Sequence, residues 1–173
     1  VYIIKQEATK MHMGIAIVVY AKDREEATSK AMDIADSLCC EQYPFDYHSS
    51  YGRCEEFPDL DFSMALPLDD ERILDLLKGK HQATKRAFIS NAQKVLDAIK
   101  DKTPEEMWDI EDDMWKFYTY QMGKYEGSDI FVYDDDGEGI RDDGHFGQVI
   151  TKYNDSEDLK DMKVFVLFQD VHY

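Results

Sequence analysis

The chain has 173 residues, enough for one domain with a real core, and its 43% hydrophobic and 13% aromatic content argues for a folded protein over a disordered one. It carries 37 acidic against 20 basic residues, a net charge of −17. That excess argues against direct binding to a nucleic-acid backbone or an anionic membrane, which would repel it, and leaves basic proteins and cations as partners.

MHMGIAIVVYA at 11–21 is β-branched and apolar and predicts a buried strand. Its apolar stretch is too short to span a bilayer and lacks the flanks of a signal peptide. Cys39, Cys40 and Cys54 are odd in number, two of them adjacent, with no zinc spacing. They fit a reducing cytoplasm better than a secreted disulfide framework. DREEATSKAMDIADSLC follows as a helix. Asp23 and Glu26 form a capping box, and Ala27, Ala31, Ile34 and Leu38 share one face.

Residues 41–68 predict one or two short strands around turns. ERILDLLKG reads as a short helix ended by Gly79. ATKRAFISNAQKVLDAIK reads as a longer one, with Phe88, Ala92, Val95 and Ile99 in line. A further helix opens at Thr103, with Pro104 at its first position and Glu106 closing a capping box. SDIFVY predicts a strand leading into an acidic loop, GQVITKY a second strand after it, and KVFVLFQDVHY a terminal strand. This order predicts a single α+β domain. Its sheet is antiparallel or mixed, with helices on one face and a helical insertion near 70–124; a ferredoxin-like core is the most economical version.

The acidic loop, YDDDGEGIRDDGHFG at 133–147, raises three possibilities. The first is a calcium loop. Asp134, Asp136, Glu138 and Gly139 fit the ligand and glycine positions of an EF-hand, but Arg141 and His145 fall where an apolar residue and a bidentate Glu belong. The second is a solvated hairpin, because Asp-Gly at 136–137 and 143–144 are turn signals. The third is an acidic docking surface. Residues 126–173 hold 13 acids and 4 bases, a net −9. In this reading Asp134, Asp135, Asp136, Glu138, Asp142 and Asp143 act together with Asp109, Asp112 and Asp113 of the 103–122 helix. Such a field of carboxylates competes with DNA phosphates for a basic groove.

Other groups suggest chemistry more weakly. Asp170 and His172 project to one face of the terminal strand, and His12 in the first strand is a candidate sheet neighbour. Such a group is a metal or general-base candidate. Cys54 beside Arg53 and His48 is a conceivable nucleophile. The chain has no P-loop, Rossmann fingerprint, HExxH or GxSxG, so no cofactor is expected. Tyr51 and Arg53 supply interface chemistry, a large amphipathic ring and a guanidinium fork.

GIAIVVYAKDREEA, DYHSSYGRC and VFVLFQDVHY together resemble a group of small phage proteins with no assigned activity. Those chains share an N-terminal strand and acidic helix, an aromatic segment ending in Gly-Arg, and a last strand closing in Asp-x-His. Their Gly-Gly-Arg-Trp is replaced here by Tyr51-Gly52-Arg53-Cys54. The resemblance implies an α+β core and points towards a viral origin.

The expectation is therefore a small, cytoplasmic, non-enzymatic acidic protein that binds a basic, nucleic-acid-binding protein. Its sharpest form is a phage-encoded inhibitor or DNA mimic acting on a host-defence protein. The alternatives are a divalent-metal-binding protein or metal-dependent enzyme using the 134–145 loop or Asp170 and His172, and a structural or assembly protein with the Trp108 and Trp115 helix partly at an oligomer interface.

Overall fold

A computed structural model of the protein describes residues 12–39, 45–50, 59–108, 130–140, 142–155 and 157–172. The fold is α+β, built on a mixed five-stranded sheet. Its centre is β1 (His12–Ala21). This strand runs antiparallel to β5 (Lys163–His172) along its whole length and parallel to β4 (Ile130–Tyr133) over Gly14–Ile17. β2 (Tyr47–Ser50) and β3 (Leu66–Pro67) share the other edge of β5. The order is β2-β5-β1-β4.

β1 is continuously apolar because both of its faces are buried. Ile15, Ile17 and Val19 join Phe165, Leu167 and Val171 in one core. Ala16, Val18 and Tyr20 join Val132, Val166 and Phe168 in the other. The first core is closed by α1 (Arg24–Leu38), whose Ala27, Ala31, Ala35 and Leu38 are buried against it. Asp23 accepts from the Glu26 N–H at 2.9 Å, and the Glu26 carboxylate accepts from the Lys22 N–H at 3.0 Å. The expected cap is present.

The second core is closed by α2 (Glu71–Leu77) through Ile73 and Leu77, and by α5 (Asp143–Asp155) through Val149. Helices therefore cover both faces, where one was expected, because β1 and β5 are apolar on both sides. The ferredoxin-like expectation is also corrected. That fold pairs its two middle strands with each other, whereas β2 and β3 both lie on β5.

Among the described residues, three helices lie between β3 and β4: α2, α3 (Lys80–Ile99) and α4 (Pro104–Trp108). Gly79, with φ +73°, makes the joint between α2 and α3. Thr103 and Glu106 cap α4 reciprocally, at 2.8 and 3.1 Å. α3 packs beside β4 and turns His81, Thr84, Ala87, Asn91 and Val95 inward. Of the stripe expected from sequence only Val95 is fully buried, and Phe88 stays 43% exposed. The inward face is partly polar, so apolar periodicity alone misplaces it. No helix among the described residues is long and apolar enough to cross a membrane.

Candidate functional site

β4 ends in a tight turn. The Gly137 N–H donates to Asp134 O at 3.1 Å, the Asp134 N–H to Glu138 O at 3.0 Å, and Gly137 sits at φ +78°. This is a three-residue hairpin loop with glycine in the left-handed position. Tyr133 and Gly139 bridge across it, and the Ile140 N–H returns to Val132 O at 2.8 Å. The Asp-Gly turn signal at 136–137 is borne out.

Asp134, 7% exposed, fixes this turn. Its Oδ1 accepts from the N–H groups of Asp136 at 3.0 Å and Glu138 at 2.8 Å. Its Oδ2 meets His145 Nε2 at 3.0 Å. His145 stands in the first turn of α5. The expected strand GQVITKY is in fact this helix: Phe146, Val149 and Ile150 recur at helical spacing and face the second core. Asp142 caps it, accepting from the His145 N–H at 2.8 Å. That bond chiefly, with the Gly144 N–H and the nearby His145 and His81, lowers the Asp142 pKa below the usual carboxylate value. Asp-Gly at 143–144 thus opens a helix and does not make a turn.

Asp143 ties this corner to α3. Its Oδ1 lies 2.9 Å from Nε2 of the buried His81, and its Oδ2 accepts from Gln82 at 3.2 Å. On the other side, a Cβ at Gly137 would stand 3.6 Å from Ile34 Cγ2, so the turn rests on α1. The hairpin, α5, α3 and α1 meet here. Asp136, Glu138, Asp142 and Asp143 are exposed and Asp135 is half-buried. Beside them a cleft of 440 Å³ separates α3 from the hairpin, with Lys85 and Phe88 on one wall and Phe131, Ile140 and Asp142 on the other. His81, Lys85 and Phe88 were not singled out as site residues from sequence. They join the site only because α3 folds back on β4.

The calcium reading rests on a cluster of carboxylates in this turn. Carboxylate oxygens of Asp134, Asp135 and Asp136 lie within 4.8 Å of one another. Yet both Asp134 oxygens already serve the turn and His145, and the Glu138 backbone is held on Asp134. Asp109, Asp112, Asp113, Tyr51, Arg53, Cys54 and Arg141 lie outside the described residues.

At the other end of the sheet, His12 and His172 are direct cross-strand partners, as the sequence suggested. His172 Nδ1 lies 3.0 Å from Asp46 Oδ2, and its ring stacks on Tyr47 at 4.9 Å. Asp170 is half-buried, in register with Gly14 and Ser49. His48 lies between Asp36 and Gln169, at 2.8 and 3.0 Å. His48, His81, His145 and His172 each meet an aspartate from another part of the chain. These pairs tie elements together.

No curated protein and no solved structure matches the chain. A family model described as "Domain of unknown function (DUF7995)" matches residues 11–173, the span from just before β1 to the residue after β5, and the chain belongs to that family.

Proposed function

We propose that the protein is a non-enzymatic docking protein whose acidic corner at 134–143 engages a basic protein surface. The observation that carries this reading is the mounting of the acids. Asp135, Asp136, Glu138 and Asp142 stand on a turn and a helix start that Asp134 and His145 pin to each other. Carboxylates carried on a pinned backbone form a contact without the cost of ordering the chain at the moment of binding. The net charge of −17 steers a basic partner towards them.

In its sharpest form the partner is a nucleic-acid-binding protein, of the kind a phage-encoded inhibitor of host defence would target. The corner then stands in for phosphates, which a duplex spaces at about one charge per 1.7 Å.

The test is capture of partners from a bacterial lysate at low and high salt, followed by competition with duplex DNA for the captured protein. Binding that weakens steeply with salt, competes with DNA and is lost in D135N/D136N/E138Q/D142N supports the reading. Salt-insensitive binding, or full binding by that variant, overturns it.

A further inference from the structure

The cleft beside α3 lies on a seam between opposite charges. α3 is the exception in an acidic chain: Lys80, Lys85, Arg86 and Lys94 stand against Asp97 alone. The facing wall belongs to the acidic corner described above. Lys85 lines one side and Asp142 the other, both exposed, and between them lie the rings of Phe88 and Phe131 and the side chain of Ile140. Phe131 and Ile140 are buried, whereas Phe88 is 43% exposed. His81 closes the floor, with its Nε2 held by Asp143. At 440 Å³ the cleft falls in the range of about 300–1,000 Å³ typical of small-molecule sites, and its apolar bed with a few polar groups is their usual lining.

We propose that this cleft binds a small zwitterion with an apolar side chain, a free amino acid. A purely anionic ligand meets the field of a −17 protein, and a purely cationic one meets Lys85. A zwitterion satisfies both walls: its ammonium faces Asp142 and its carboxylate faces Lys85. Its side chain covers Phe88, Phe131 and Ile140. The low pKa of Asp142 keeps that wall negative at neutral pH. The inference shares Asp142 with the docking reading but does not rest on it, because docking requires neither Lys85 nor the apolar bed.

The experiment is an NMR titration of the intact protein with L-phenylalanine, phenethylamine and 3-phenylpropionate, each to about 20 mM, a range that captures millimolar affinities. The expected result is saturable shifts at Thr84, Phe88 and Ile140, with L-phenylalanine about fivefold tighter than either half-ligand, as for one partly exposed charge contact. D142N should reduce L-phenylalanine to the level of 3-phenylpropionate, and K85Q to that of phenethylamine. Asn is itself a good helix cap, and cooperative melting close to that of the parent protein verifies that both variants fold. Equal binding of the three ligands, no saturation with L-phenylalanine, or indifference to both substitutions overturns the proposal. None of these outcomes bears on capture of a basic partner, so the two readings fail separately.

Discussion

Asp134 and His145, eleven residues apart, join the end of β4 to the first turn of α5 through a 3.0 Å contact between Oδ2 and Nε2. The other Asp134 oxygen holds the two backbone N–H groups of the turn. Replacing Asp134 by Ala removes all three acceptor contacts at a buried position. The expected loss is about 1–3 kcal/mol. A chain of this size then melts roughly 2–4 °C lower per kcal/mol, measured by calorimetry. H145A removes one of the three contacts and should cost less.

His48 and Gln169 offer a sharper test, because one partner is fully buried. Gln169 is 1% exposed, with its Nε2 on Phe168 O and its Oε1 on His48 Nδ1. H48F leaves that Oε1 without its acceptor role filled, at a cost of about 1–3 kcal/mol. H48F/Q169L removes both polar partners and should be more stable than H48F. A double variant less stable than H48F in urea unfolding would show that Gln169 matters for another reason.

Tyr20 predicts alkaline behaviour. Its hydroxyl donates to the Val149 carbonyl and joins β1 to α5. Burial first, then the charges of Asp135 and Asp134, raise its pKa well above the usual value of 10.0. The folded state therefore holds the phenolic proton more tightly than the unfolded chain. The resulting stability is complete below pH ~10 and is lost as pH rises beyond it. Ultraviolet titration should show one tyrosine ionising only on alkaline unfolding, and Y20F should abolish that part of the pH dependence.

At acid pH the sign reverses. Asp142 is lowered chiefly by the His145 N–H, Asp70 by Arg72, and Glu26 by Lys30. Each carboxylate stabilises the fold above its unfolded pKa, near 4, and loses that contribution as pH falls through its lower folded value. Melting temperature should fall below about pH 4, and D142A should flatten that fall. NMR titration of the Asp142 carboxyl checks the direction directly.

Gly139 has a packing reason to be glycine. A Cβ there would stand 2.5 Å from Phe131 Cζ, closer than real Cβ contacts. Phe131 is 3% exposed and packs edge-on to Tyr133 at 4.8 Å, so relieving the clash means moving its ring off that contact. G139A should destabilise by about 1–3 kcal/mol, the usual cost of overpacking. A melting temperature unchanged from the parent protein would show that the ring moves freely.

Much of the local structure was legible in the sequence. The β1 run, the α1 stripe of Ala27 and Ala31, the Thr103 cap and the Asp136-Gly137 turn all depend on residues within a few positions of one another. The failures have a common cause. GQVITKY is rich in β-branched residues and reads as a strand, but the Asp142 cap and the packing of Val149 make it helical. Phe88 looks like a core residue by spacing, yet the buried face of α3 is set by His81, Thr84 and Asn91.

The sequence by itself determined the α+β class, the acidic excess, the Asp136-Gly137 turn and the caps at Asp23 and Thr103, because these follow from composition and short-range physics. It also presented the acids of 134–143 as one group. Only the tertiary structure decided what that group meets: Asp134 with His145, Asp143 with His81, and Gly137 with Ile34. The pairing of His48 with Gln169 and of His172 with Asp46 spans 121 and 126 residues. No local pattern encodes such contacts. They follow from β2 pairing with β5, whose other edge pairs with β1 at the centre of the sheet.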